Sequence, residues 1–563
     1  MFGRRARASI GGKGSGPLSA SGDGGATLPE DRRTETRMTT QSQHPPVHLS
    51  GLRLTEFVLS RAAEFGDKPA IIDGTTGRVL SYRELKAAVG RCAAVLARCG
   101  VTPGDVLALV GPNCPGYAIV FHAAAVAGAA VSTINPLAPA ADIAGQLRHS
   151  GARWLAGPSA LMQEKGRLAT GAAGLDLAAA LEFDEANGAI QLSAVPPGAA
   201  VRPGHQTSSD DLAYLPYSSG TTGLPKGVMI SHRNLVANLC QVRAVHRVRP
   251  ADVILATLPW FHIFGLLTSL NLALREGATI VTMPRFELAG FLRLVQGHRV
   301  TQVTVVPPIV LALAKQLAVA DYDTSSLRLI VSGAAPLSAE LARSCAQRLG
   351  CKVIQAYGMT EIGMSHAVPD DADGDPGSVG PPLPGVECRV IDCATGRDVA
   401  PGAAGELLVR SAANMRGYLG NPQATSAAVD TDGWVRTGDI VVADQAGWFR
   451  VVDRLKEIIK YNGCQVAPAA LEAVLLTHPA VADAAVIGCP DTQAGEIPKA
   501  FVVCRQPASA GELLAFVADR VAPQEKVRRL EFIDQIPRSP SGKILRRVLA
   551  ERDRAAALAG DQR

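Results

Sequence analysis

The sequence predicts an α/β fold: a large N-terminal domain of α/β sheets carrying a small β-barrel subdomain, followed by a smaller, mobile α+β C-terminal domain. Three observations lead there. The chain has 563 residues, and single hydrophobic cores stop growing near ~250–300 residues, so the chain must divide. From Leu52 onward, apolar-periodic helices alternate with short β-rich runs, the pattern of parallel strands joined by crossover helices. Between about residues 377 and 452 the chain turns to short β-prone runs punctuated by Gly and Pro, and beyond them lies a stretch with the size of a small α+β domain. The expected layout is a disordered extension 1–49, a large domain 50–452, a hinge 453–457, a small domain 458–553 and a tail 554–563.

Residues 1–37 are rich in Gly, Ser and Arg without apolar periodicity, and read as disordered. Their arginines faintly resemble a transit peptide, but a start at Met38 is the preferred reading. Ser81 with Glu84 forms a capping box, and Gly100 closes that helix. Strands are expected at 105–110, 278–283, 301–306 and 327–332. In open α/β sheets the ligand crevice lies at the carboxyl ends of such strands. Residues 106–141 lack Asp, Glu, Lys and Arg, yet Pro112, Pro115, Gly116, Asn135 and Pro136 interrupt them. That punctuation predicts strand, turn, buried Ala-rich helix and loop, and no transmembrane span.

Hydrophobic residues make up 47% and charged residues 19%, with a formal charge of +5 and no long run of like charge. This balance predicts a folded cytoplasmic protein and excludes a nucleic-acid arm or a polybasic membrane patch. The 11 cysteines include no CxxC pair and the 11 histidines no HExxH, so neither a disulfide framework nor a zinc site is expected.

The strongest chemical signal is YSSGTTGLPKGVMISHRN at 217–234. Backbone N–H groups exposed at Gly220, Gly223 and Gly227 can line a phosphate, the hydroxyls of Ser218, Ser219, Thr221 and Thr222 can donate to it, and Lys226 supplies charge. Pro225 before Lys226 excludes a Walker A sequence. Further blocks follow in order: LPWFHIFG at 258–265, SGAAPL at 332–337, YGMTE at 357–361, TGD at 437–439, VDRLKEIIK from 452, and PSGKILR at 540–546. Glu361 is a hard carboxylate suited to Mg²⁺, and Thr360 beside it can hydrogen-bond an α-phosphate.

Together these blocks resemble the adenylate-forming superfamily, which contains acyl-CoA synthetases, peptide-synthetase adenylation domains and luciferases. The pattern is nearest to the 4-coumarate:CoA ligases and their bacterial relatives. The resemblance implies an ATP-dependent carboxylic acid:CoA ligase that uses Mg²⁺, forms an acyl-AMP and passes the acyl group to CoA. It implies that Asp439 accepts both ribose hydroxyls with help from Arg454, and that Gly333, Ala334, Ala335, Tyr357 and Gly358 form the adenine slot. Lys543 becomes the lysine that stabilises charge on the α-phosphate. Lys460, Gln465 and Gly463 lie near the adenylate or pantetheine, Arg285 near a CoA phosphate, and Asp453 or Lys456 at the pivot of the small domain. His262 becomes a wall between acyl pocket and thiol tunnel; composition alone makes it a buried, hydrogen-bonded core histidine.

The implied acyl pocket comprises Ile263, Phe264, Leu267, Thr304, Val331, Gly333, Ala356, Gly358 and Met364. Plant enzymes acting on hydroxycinnamates commonly carry tyrosine, asparagine and lysine where this chain has Phe264, Leu267 and Val331, so an aryl, cinnamate-like acid without a ring hydroxyl or a medium-chain fatty acid is expected. After the hinge the chain reads KYNGCQ, with Asn462 in place of a cation thought to meet CoA. Two alternatives stay open: an acyl-AMP ligase that loads a carrier protein, and a catalytically inactive acyl-nucleotide-binding protein. The retention of Lys226, Glu361, Asp439 and Lys543 together opposes the second.

Overall fold

The computed structural model describes residues 39–176, 180–191, 207–218, 225–462, 464–539 and 542–560. Continuous apolar runs such as Val106–Val110 and Leu329–Ser332 form strands covered on both faces, as parallel sheets require. Among the described residues they build two large sheets. One runs Gly363–Ala367, Lys352–Met359, Leu329–Ser332, Gln302–Val305, Val253–Ala256, Thr279–Thr282, Pro69–Asp73 and Val79–Ser81, parallel except at its two edges. The other centres on the parallel strands Ala130–Ile134, Val106–Val110, Trp154–Pro158 and Ala180–Phe183, and its far edge carries the antiparallel pair Tyr217–Ser218 and Lys226–Ser231. The strands expected at 105–110, 278–283, 301–306 and 327–332 appear at Val106–Val110, Thr279–Thr282, Gln302–Val305 and Leu329–Ser332.

The helix Pro115–Val126 touches strands of both sheets and buries residues 115–125. This explains the charge-free segment: a helix sandwiched between two sheets has no wet face on which to place a charge. Among the described residues no helix is long and apolar enough to cross a membrane. The helix Tyr82–Arg98 carries the expected capping box, with Ser81 Oγ accepting from the Glu84 amide and Glu84 accepting from the Ser81 amide. Its C-cap is Cys99; Gly100 stands one residue further on, at φ +85°.

Asn113, in the loop after Val106–Val110, joins the two sheets. Its Nδ2 donates to the Ala256 and Leu258 carbonyls at 3.0 and 2.9 Å, and its Oδ1 accepts from the Trp260 amide at 2.8 Å. Thr133 Oγ1 and Tyr214 Oη donate to the Phe261 carbonyl at 2.8 and 3.1 Å. The LPWFHIFG segment is thus held by polar groups from the opposite sheet.

The β-rich region 377–452 supplies four strands of a five-stranded antiparallel sheet, ordered Thr40–Gln41, Glu387–Ile391, Ala404–Arg410, Val435–Ala443 and Phe449–Arg454. Its first strand corrects the expected extension 1–49: Thr40 pairs with Cys388 and Gln41 with Glu387, and Ser42 Oγ donates to the Pro382 carbonyl. An edge strand needs backbone pairing more than apolar pattern, which is why composition did not mark it. The remainder of that extension, 1–38, lies outside the described residues.

The small domain is a mainly antiparallel sheet of Cys464–Val466, Ile459–Tyr461, Gly495–Cys504 and Val481–Asp491, with Arg529–Phe532 added in parallel. The helices Pro468–Thr477, Ala510–Ala518 and Arg546–Gly560 accompany it, the last running past residue 553 into the expected tail. Replacing Asn113 with Ala strands one buried N–H and two carbonyls. Stability is expected to fall by on the order of 3 kcal/mol, read as a lower urea midpoint.

Candidate active site

Strand register sets the site. Thr304 lies beside Val331 on neighbouring parallel strands, and Ala356 follows two residues after Val331's next partner, Ile354, so side chains of one parity share a face. At the carboxyl ends of these strands the chain enters residues 333–335. A Cβ on Gly333 would lie 2.8 Å from the Phe264 ring and 3.1 Å from the Ala356 carbonyl, so glycine is required there. Ala334 takes φ +68°, a left-handed conformation that a non-glycine residue adopts at some cost. Leu258, Pro259, His262, Phe264, Gly265, Val306 and Ala334 line a cleft at this point. Leu267 and Met364 are buried beside it in the same core, and Ile263 and Phe264 are partly buried against it.

The phosphate-loop motif is closed at its base by the antiparallel pair Ser218 and Lys226. Ser219, Gly220, Thr221, Thr222 and Gly223 lie outside the described residues. Ser218 Oγ donates to Glu361 Oε1 at 2.9 Å, and Tyr418 Oη donates to the same oxygen at 2.9 Å. The Lys226 ammonium lies 5.0 Å from the centre of the Tyr418 ring. Glu361 is only 5% exposed, and Thr360 precedes it in the turn that leaves Lys352–Met359. Among the described residues no group of three or more His, Cys, Asp or Glu gathers to cage a metal. A single buried carboxylate beside a phosphate loop fits Mg²⁺, which takes one or two protein carboxylates and completes its shell with phosphate oxygens and water.

The second cluster centres on Asp439, 4% exposed. Tyr357 Oη donates to its Oδ2 at 2.7 Å, and Arg454, its cross-strand partner, reaches Oδ1 at 3.2 Å. Burial and the adjacent carboxylate push the Tyr357 phenol far up, so it remains a donor. Lys543 arrives from the small domain on a tight turn in which the Ser539 amide donates to the Lys543 carbonyl at 2.8 Å and the Lys543 amide to Ser539 Oγ at 3.2 Å. Gly542, at φ +78°, packs so closely that a Cβ would stand 2.8 Å from Val306. Burial, and secondarily Arg454, hold the Lys543 ammonium below the usual lysine range, while Asp439, Glu361 and Glu457 oppose that shift.

Residues 58–419 match the family described as AMP-binding enzyme, and residues 470–543 match the AMP-binding enzyme C-terminal domain. The chain belongs to the AMP-binding enzyme family. The chain is 40% identical over 526 residues to a 4-coumarate–CoA ligase from Pinus taeda, across 91% of this chain and 97% of that protein. Its fold is similar to that of an anthranilate CoA ligase in complex with anthranoyl-AMP (TM-score 0.80, 25% identity, 91% of this chain and 98% of that one). It is also similar to an O-succinylbenzoate coenzyme A synthetase from Bacillus subtilis in complex with ATP and magnesium ion (TM-score 0.75, 28% identity, 88% and 99%). With this kinship along both domains, the AMP-binding enzyme is an ATP-dependent, AMP-forming acid:CoA ligase.

Lys460 and Gln465 are cross-strand partners, both exposed on the small-domain hairpin, and Gly463 lies outside the described residues. Asn462, next to it, takes φ +48°, a left-handed conformation that asparagine tolerates better than most residues. Arg285 is exposed. At the hinge, Lys456 is exposed, whereas Asp453 is buried and accepts from the Ala469 amide at 2.9 Å, capping the helix Pro468–Thr477. His262 departs from the hydrogen-bonded core histidine that composition suggested: its Nε2 is buried without a hydrogen-bond partner, and burial, then Lys543, lower its pKa to about 4.

Sequence reasoning missed Tyr418, whose place in a Gly-Tyr pair before Asn421 and Pro422 carried no chemical label. It also missed the π-helical turn Leu266–Leu272 inside the helical stretch after His262. There Asn271 Nδ2 donates to the Leu266 carbonyl five residues back, at 2.8 Å. No apolar period signals such a widening.

His122, His232 and His366 are fully buried, and desolvation lowers the first two to about 4 and the third to about 3. His366 lies between the Tyr357 and Phe449 rings. In the unfolded chain a histidine regains its ordinary pKa of about 6.5, so below that pH the unfolded state binds more protons and stability falls. The loss is expected to begin near pH 6.5 and to reach roughly 1 kcal/mol per histidine by about pH 5.5, read from urea midpoints across that range.

Proposed function

We propose that the two clusters are the halves of one adenylation site, and that Lys543, carried by the small domain to lie beside Asp439 and Glu361, is the observation that best supports this reading. Asp439 accepts the ribose hydroxyls with Arg454 beside it. Residues 333–335 with Tyr357 and Gly358 take the adenine. Ser218, Lys226 and residues 219–223 take the β- and γ-phosphates, and Thr360 takes the α-phosphate. A Mg²⁺ held by Glu361 neutralises phosphate charge when bound.

A substrate carboxylate oxygen attacks the α-phosphorus, the bond to the bridging oxygen breaks, and pyrophosphate leaves with that electron pair. The product is the mixed anhydride acyl-AMP. Negative charge peaks on the equatorial oxygens during attack, and a fixed ammonium at Lys543 stabilises that state more than the ground state. In the second half-reaction the thiolate sulfur of CoA attacks the acyl carbonyl and AMP leaves with the anhydride electron pair. The large domain 50–452 keeps the adenylate, while the small domain 458–553 turns about 453–457, withdrawing Lys543 and bringing the face with Lys460, Gly463 and Gln465. Arg285 meets a CoA phosphate, and His262 stands between acyl pocket and thiol.

The acyl group fits an apolar pocket of Ile263, Phe264, Leu267, Val331, Ala356 and Met364, with Thr304 its one hydroxyl-bearing side chain. Stranding a phenolic hydroxyl there costs about 1–3 kcal/mol, about 5- to 150-fold in specificity. Cinnamate-like acids without a para-hydroxyl, or medium-chain fatty acids, are the preferred substrates.

Replacing Lys543 with Ala is expected to slow adenylate formation at least about 100-fold while sparing thioester formation from supplied acyl-AMP. Equal loss in both half-reactions, measured by single turnover, counts against the two-face reading. For the acyl pocket, kcat/KM for cinnamate or octanoate is expected to exceed that for 4-coumarate and caffeate; a lead for caffeate overturns the pocket assignment.

A further inference from the structure

Tyr418 stands where the cationic and anionic parts of the phosphate site meet, and nothing in the mechanism above uses it. It lies on the short strand Gly417–Tyr418, paired in register with Val228 of the strand that begins at Lys226. The side chain is 9% exposed. Its hydroxyl donates to Glu361 Oε1 at 2.9 Å, while its ring lies 5.0 Å from the Lys226 ammonium. The Met415 amide donates to the Glu361 carbonyl at 2.8 Å, so the same segment also fixes the Glu361 backbone.

Without such a spacer, a lysine and a buried carboxylate on adjoining elements collapse into an ion pair, and each then has less to offer a ligand. An aromatic ring holds an ammonium through its negative face without neutralising it. A phenol hydroxyl holds one carboxylate oxygen and leaves the second engaged by neither hydroxyl. Ser218 reaches the same Oε1, but it stands at the mouth of the phosphate loop and is itself a phosphate donor in the reading above. Tyr418, anchored by strand pairing, keeps its hold when Ser218 turns to a phosphate.

We propose that Tyr418 is a positioning residue that aims Glu361 Oε2 at the phosphate-bound divalent cation and keeps Lys226 unpaired for the triphosphate. The proposal rests on the reading of Glu361 as the metal carboxylate. It predicts a separation of effects. Tyr418→Phe keeps the ring and loses the hydroxyl, so metal binding weakens while metal-free nucleotide binding holds. Tyr418→Leu loses both and weakens both.

The test measures free Mn²⁺ by electron paramagnetic resonance in the presence of the full-length enzyme and α,β-methylene-ATP, with metal-free binding of the same nucleotide measured by calorimetry. Expected are a Mn²⁺ affinity about tenfold or more lower in Tyr418→Phe with unchanged metal-free nucleotide affinity, and a fall in both for Tyr418→Leu. Tyr418→Phe that binds Mn²⁺ like the parent, beside a Glu361→Gln protein that binds it weakly, overturns the role of Tyr418 alone. Equal losses of both affinities in Tyr418→Phe overturn it as well, since a merely structural residue gives that result. Unchanged Mn²⁺ affinity in Glu361→Gln overturns the metal assignment and this proposal together.

Discussion

Two carboxylates removed from water govern the rest of the site: Glu361, just past the end of the strand Lys352–Met359, and Asp439, on the antiparallel strand Val435–Ala443. Glu361 and Asp439 are 5% and 4% exposed, and a charge in such a place survives only with hydrogen bonds or countercharge. Each has them: hydroxyls from Ser218 and Tyr418 on Glu361, a phenol and a guanidinium on Asp439. Neither pairing is a complete neutralisation. The field of the two carboxylates favours the charged ammonium of Lys543 against burial and against Arg454. On the proposed reading, Lys226, Arg454 and Lys543 are the cations that meet the charge of a triphosphate.

That electrostatic centre depends on packing at a distance. The segment carrying His262 is tied to the opposite sheet by Asn113, Thr133 and Tyr214. Lys543 depends on the seating of the small domain, where Gly542 fits against Val306 and Lys315, at the end of the helix Pro307–Lys315, donates to the Leu476 carbonyl at 2.6 Å. An ammonium at the last turn of Pro468–Thr477 interacts favourably with that helix end as well. Arg546 bonds Glu457 and Glu472 at 2.7 Å each, so the chain just after Lys543 is tied both to the segment 453–457 and to the helix Pro468–Thr477.

Much of this was legible because it is local. The capping box at Ser81, the strand runs, the charge-free helix between the sheets and the motif order all follow from short-range pattern. Glu361, Asp439 and Lys543 were singled out because each sits in a short motif, YGMTE, TGD and PSGKILR, that carries the family resemblance. Long-range partners were not legible: Tyr418 is 57 residues from Glu361, Asn113 is 147 from Trp260, and no local rule relates them. Thr40–Gln41 hid within a polar segment since an edge strand is specified by its partner. The π-helical turn at Leu266–Leu272 left no trace because all seven of its residues are buried, polar Thr268, Ser269 and Asn271 among them, so no amphipathic period marks the widening.

On the proposed reading, a carboxylic acid is activated on the α-phosphate of ATP at this one site before any thiol is engaged. Isotope exchange between pyrophosphate and ATP, followed with the acid present and CoA absent, addresses it most directly. Exchange is expected to require the acid and to proceed without CoA, because acyl-AMP and pyrophosphate form reversibly in the first half-reaction. Exchange that appears only when CoA is added, or cleavage of ATP to ADP and phosphate, would contradict it.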